Sequence, residues 1–199
     1  LKRNAEAARY AVIMAERNPR DAVLLRRLAQ HLMDQRDYER ALKLYEKSLR
    51  LREEDKPNAR SVIAHMEIGR LYCLQKQFAE SAAAFEVVHD ALENPKKYGL
   101  SDKIHSTLMG NPEVTYIAFA EAFLQAGRLE TAAEMFERAF PDEAGKPMLA
   151  YHLARIEMKN DRPQSALEQL NQYFLAKETK AGTRSYELLD KALAKIHEG

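Results

Sequence analysis

The stretch Glu113–Lys146, EVTYIAFAEAFLQAGRLETAAEMFERAFPDEAGK, decides the fold. Its first half sets Tyr116, Phe119, Ala120 and Phe123 at helical offsets, and its second half does the same with Ala132, Phe136 and Ala139. Apolar residues three, four and seven apart fall on one side of an α-helix. Gly127 lies between the two halves and marks a turn. The stretch therefore predicts two short amphipathic helices folded into a hairpin.

Tyr, Phe, Ala and Phe, then Ala and Phe, fill in order the signature W-x2-L-G-x2-Y, A-x3-F and P of a period near 34 residues. In this the stretch resembles one tetratricopeptide repeat. The resemblance implies an all-α, right-handed superhelical array of antiparallel helix pairs over 1–199, and it extends outward in both directions. Repeats are expected at 22–55, 62–95, 113–146 and 147–180. The first carries Leu25, Leu28, Ala29 and Leu32, then Ala41, Tyr45 and Ser48. The second carries His65, Ile68, Gly69 and Tyr72, then Ser81, Phe85 and Val88. In the last, Ala150, Leu153, Ala154 and Ala166 fit, while Glu157 stands where an aromatic is expected and Leu170 where Phe is.

Ala29, Gly69, Ala120 and Ala154 share the small position of the first helix, where a close helix crossing is required. Gly69 inside a helix costs about 1 kcal/mol relative to alanine, so the approach of the paired helix, at Ser81, is its compensating reason. The spacing of these four residues leaves six extra residues at 56–61 and seventeen at 96–112. The longer insertion, KKYGLSDKIHSTLMGNP, repeats Leu100, Ile104 and Leu108 every fourth residue, with Ser101 to start a helix and Gly110 to end it. It predicts a short helix folded back on the array. Asn111 and Pro112 then open the next repeat.

At the amino end, Ala7 precedes Ala41 by one period and Asn18–Pro19 stops a helix. Residues 1–21 thus read as the second half of a repeat, and with Leu1 as first residue they point to a fragment or processed form. Val12, Ile13 and Met14 then lack a covering helix, which predicts a homodimer through this segment. Residues 181–199 read as a capping helix or the start of a further repeat, with Tyr186, Leu189, Leu193 and Ile196 on one stripe.

Lys plus Arg is 31 against Asp plus Glu 30, so the net charge of +1 provides no field for nucleic acid or an anionic membrane. No run approaches the ~18 apolar residues of a membrane span. The single cysteine, Cys73, excludes an internal disulfide framework. A soluble protein is expected, with the cytoplasm favoured over secretion or the periplasm.

Chemistry is sparse. The six histidines make no H-E-x-x-H or H-x3-H pair, and the glycines form no phosphate loop. Cys73 has no basic partner assignable from sequence. The expectation is no catalysis, no metal and no cofactor.

In the family, first helices line a concave groove. Carried over by register, this places Val23, Arg26, Gln30 and Met33, then Ile63, Met66, Arg70 and Cys73, in the groove. The later repeats add Val114, Ile117, Glu121 and Leu124, then Met148, Tyr151, Arg155 and Met158. Arg26, Gln30, Met66, Arg70, Ile117, Glu121, Tyr151 and Arg155 are the expected partner-binding set. Methionine adapts its shape and arginine forks onto carboxylates, so an amphipathic or acidic peptide is the expected ligand. Some members of the family clamp the terminal carboxylate of a chaperone peptide with Lys and Asn side chains. Here those places hold Arg26 and Gln30, Glu67, Val114 and Ala118, and Glu67 would repel the ligand. The leading reading is a non-catalytic scaffold for a partner protein or peptide. The alternatives are a regulatory or spacer segment of a larger enzyme or assembly and, third, a nucleic-acid-binding helical repeat.

Overall fold

The computed structural model describes residues 10, 13–14, 17, 20–51, 58–176 and 183–198. The half repeat expected at 1–21 lies largely outside them, Val12 included; Ile13 and Met14 are exposed at 38% and 37%. The described residues are helical apart from turns and short connections. The chain divides into two compact units, Leu1–Leu108 and Met109–Gly199.

The first unit contains two hairpins. Helices α1 (Ala22–Asp34) and α2 (Tyr38–Arg50) form one, and α3 (Ala59–Leu74) and α4 (Phe78–Glu93) the other. Asp21 and Asn58 cap α1 and α3 by accepting backbone N–H groups, and at Asn58 the Ser61 hydroxyl completes a capping box. Leu25, Leu28, Ala29, Leu32, Tyr45, Ile68 and Leu71 share one core. Apolar stripes that no hairpin can bury alone are closed by the neighbouring hairpin. Gly69 lies under the Phe85 ring, while the Ser81 hydroxyl donates to the Gly69 carbonyl at 2.8 Å.

Two short helices follow, α5 (Pro95–Tyr98) and α6 (Asp102–Leu108). Asp90 ties α5 to α4 by accepting hydrogen bonds from Lys97 Nζ at 2.7 Å and from the Tyr98 hydroxyl. The Lys97 and Tyr98 hydrogen bonds hold the Asp90 carboxyl down at about 2. Helix α6 lies against α3 and buries Leu108. It stops at Leu108, two residues before Gly110.

In the second unit α7 (Pro112–Gln125) pairs with α8 (Leu129–Ala139), and α9 (Lys146–Lys159) with α10 (Pro163–Leu175). The Asn111 side chain accepts the Val114 N–H, and Pro112 occupies the first turn, where its missing N–H costs nothing. Phe119, Phe123 and Phe136 are fully buried. Helix α11 (Thr183–Glu198) packs on α10 and α9. The expected stripe is met in part: Leu189 packs against the core of α9 and α10 and Tyr186 meets the Phe174 ring, but Ser185 and Ala192 are the buried residues, and Tyr186 and Leu193 are 52% and 37% exposed. Small side chains let the helix approach closely, and the larger residues flank the contact.

All four hairpin turns are the same. Counting from the first residue of each repeat, the fifteenth residue has positive φ: Arg36 at 63°, Lys76 at 59°, Gly127 at 79° and Asp161 at 59°. In each, the next residue's N–H returns to a carbonyl five residues back: Asp37 to Leu32, Gln77 to Tyr72, Arg128 to Phe123 and Arg162 to Glu157. This left-handed stop with its returning hydrogen bond is a Schellman-type helix end.

Candidate functional site

First helices carry the expected binding residues, and burial along them separates open positions from closed ones. The second position is exposed and apolar in every repeat: Val23 39%, Ile63 36%, Val114 60% and Met148 39%. The thirteenth is exposed as well, at Asp34, Leu74, Gln125 and Lys159. With the sixth and ninth between them these form a stripe at spacings of four, three and four, one face of a helix.

The fifth and twelfth positions lie off this stripe. Arg26, Ile117 and Tyr151 are half-buried, as are Met33, Cys73 and Met158. Met66 corrects the expected set: it is 2% exposed, while Ile63, Arg70 and Leu74 on the same helix are exposed. Leu124 is likewise buried at 1%. Leu74, 61% exposed, was missed by the sequence reading; continuing the stripe from Ile63 and Arg70 finds it.

Ninth-position side chains are bonded within their own units. Gln30 accepts from the Tyr45 hydroxyl at 3.2 Å and donates to Asp34 at 3.4 Å. Arg70 pairs with Glu67 at 2.9 Å. Glu121 and Arg155, ninth residues of successive repeats, join in a fork: Arg155 Nη2 donates to Glu121 Oε2 at 2.8 Å, and Nη1 donates to Oε1. The Arg155 guanidinium also lies 5.9 Å from the Tyr151 ring. A ligand carboxylate would compete with Glu121 for the forked face of this arginine.

His152 completes the cluster. Its ring stacks on Phe136 at 4.1 Å and Phe140 at 5.7 Å, and Arg155 Nη1 lies 2.9 Å from its Nδ1. Arginine can only donate, so Nδ1 accepts and the imidazole is neutral. Burial, then the Arg155 charge, push its pKa down to about 4, with Glu121 opposing. Burial raises the Glu121 carboxyl, but the hydrogen bonds and charge of Arg155 outweigh it and the net shift is downward. The second unit thus presents a neutralised polar centre flanked by Val114, Ile117, Met148 and Tyr151. No group of three His, Cys, Asp or Glu side chains placed to hold a metal occurs among the described residues. No helix among them is long and apolar enough to cross a membrane.

Four helix pairs of the same internal register, each closed by the same turn, define a helical-repeat protein. Two profiles described as Tetratricopeptide repeat match residues 20–94 and 117–179, and the chain belongs to that family. Among solved structures it is similar to MamA, residues 41 to the end, from Desulfovibrio magneticus RS-1, with a TM-score of 0.54 and 18% identity over 90% of this chain and 88% of that one. It is also similar to the C-terminal part of a TPR repeat-containing protein from Cytophaga hutchinsonii, with a TM-score of 0.53 and 14% identity over 98% and 67%. At these identities the likeness concerns the fold. No curated protein matches the chain significantly.

Proposed function

We propose that the chain is a non-catalytic interaction scaffold whose first-helix stripes receive a segment of a partner protein. The observation that carries this reading is the second position: an apolar side chain left exposed in all four repeats, at Val23, Ile63, Val114 and Met148. Exposed apolar residues scattered singly need no explanation, but the same register position four times over marks a surface kept for contact. Tetratricopeptide repeats bind proteins and peptides as a class, and the internal pairing of Arg70, Glu121 and Arg155 leaves apolar contact as the main contribution.

The test is affinity capture by the whole chain, with Ile63→Asp and the pair Val114→Asp/Met148→Asp beside it. These positions are exposed, so thermal midpoints stay close to that of the parent. A partner retained by the parent and by a Glu137→Ala control, and lost from the stripe variants, supports the reading. An unchanged partner set removes it.

A further inference from the structure

The second unit holds a cavity of about 470 Å³. Its walls include Pro112, Phe140, Pro141 and Met148. Met148 is the second-position residue of its own repeat, and Pro112 and Glu113 directly precede Val114, the second-position residue of the other. Phe140 stacks on His152, the next stripe residue after Met148. Met148 thus belongs both to the cavity wall and to the stripe.

Local sequence makes the hollow. Helix α8 ends at Ala139, and Phe140–Pro141 turns the chain away. Asp142 Oδ1 accepts the Gly145 N–H at 2.9 Å and draws the loop back before α9 begins. Gly145 sits so close to Phe140 that an added Cβ would lie 2.9 Å from the Phe140 Cβ, so the loop is held tightly at this point.

The charges at the cavity are not balanced. Arg138 is offset by Glu134 at 2.9 Å and lies 5.9 Å from the Tyr116 ring. Glu113 and Asp142 are exposed, and no salt bridge joins either to a basic side chain among the described residues. A hollow lined by Pro112, Phe140, Pro141 and Met148 that also carries two exposed carboxylates suits an apolar side chain with a cation next to it.

Resting on the groove reading above, we propose that this cavity is an anchor socket: it takes one leucine, methionine or aromatic side chain of a partner peptide that carries lysine or arginine beside it.

The experiment uses the full chain and three fluorescent, end-blocked synthetic decapeptides: a central Phe flanked by Lys, the same with Ala for Phe, and the same with Glu for Lys. Fluorescence anisotropy is expected to show saturable binding of the Lys–Phe peptide, at least tenfold weaker binding of the other two, and loss of binding in Ala144→Trp, which fills the cavity from an exposed loop position. Met148→Ala, which removes part of the wall, is expected to weaken binding without blocking entry, and Glu113→Gln to weaken the Lys–Phe peptide selectively. Equal binding of all three peptides, or binding indifferent to Ala144→Trp in a chain with the parent's thermal midpoint, overturns the socket. Partner capture that is lost in Ile63→Asp, in the other unit, while Ala144→Trp is silent would sink the socket alone. Capture indifferent to every stripe variant would sink the groove reading itself.

Discussion

The Phe85 ring rests on the backbone of Gly69: a β-carbon built on Gly69 would stand 2.4 Å from Phe85 Cε1 and 2.5 Å from Cδ1. Gly69→Ala gains about 1 kcal/mol in helix propensity, but it drives a methyl group into a ring with no exposure, an overpacking cost of about 1–3 kcal/mol. The net expectation is destabilisation. Phe85→Ala alone is expected to lose ~3–5 kcal/mol. In that background Gly69→Ala becomes neutral or stabilising, because the ring it meets is gone. Urea unfolding of the four proteins closes the cycle; additive effects would show that the ring does not rest on Gly69.

Phe136 is equally buried in the second unit and stacks on His152. Phe136→Ala is expected to cost ~3–5 kcal/mol. An unchanged thermal midpoint would contradict its place in the core.

The turns give a prediction of opposite sign. Lys76 holds φ 59° at the position where the third repeat has Gly127 at 79°. A side chain with a β-carbon is disfavoured in this region by about 1–2 kcal/mol, and glycine offsets part of that through its larger loss of chain entropy. Lys76→Gly and Arg36→Gly should each raise stability by roughly 1 kcal/mol or less, and Gly127→Ala should lower it. Asp161 is left out of the series because its carboxylate holds Lys195. Thermal midpoints measured side by side decide the point.

Much of this was legible in the sequence because the family period places equivalent residues. The buried phenylalanines, the Asn111–Pro112 start and the turn at Gly127 all follow from register and helix-end chemistry. What was not legible depends on contact between repeats. The small residue at 69 was matched to Ser81, but Ser81 uses its hydroxyl on the Gly69 carbonyl and the space is filled by Phe85. By register alone, Glu121 and Arg155 both face a ligand. Their opposite charges, 34 residues apart at one register position, were the available signal that they bind each other. Met66 followed the same register into the groove, yet its burial depends on elements packed around α3 that its own helix does not encode. The cavity beside Met148 depends on the path of the loop 140–145, which no periodicity describes.

Second helices begin with unequal caps. Asp37 accepts the Arg40 N–H through its side chain at φ −86°, ψ 69°, whereas Gln77, at φ −88°, ψ 73°, makes no such bond. The backbone is already in place, so Gln77→Asp should supply the missing acceptor and stabilise by roughly 0.5–2 kcal/mol. A carboxylate at the start of α4 also complements the helix dipole. Gln77→Ala should give no gain, which separates the cap from a simple loss of glutamine; equal midpoints for the two variants would refute the assignment.

Acid sensitivity should centre on His152. Its pKa falls from 6.5 to about 4 in the folded chain, so the unfolded state binds the extra proton first. Stability is fully present above the unfolded value and is lost as pH falls through the interval down to about 4, by up to about 3 kcal/mol from this group. Glu121, also shifted downward, adds a loss in the same direction at lower pH, below its unfolded value of 4.5. His65, lowered by burial in the first unit against a hydrogen bond to the Ser61 carbonyl, contributes with the same sign. The groups are separable: His152→Phe keeps a flat ring between Phe136 and Phe140 but cannot take up a proton. Unfolding free energy measured from pH 7 to pH 4 should fall most steeply for the parent, somewhat less for His65→Phe, and least for His152→Phe. Parallel curves for all three would mean that the buried imidazole is not the group that senses acid.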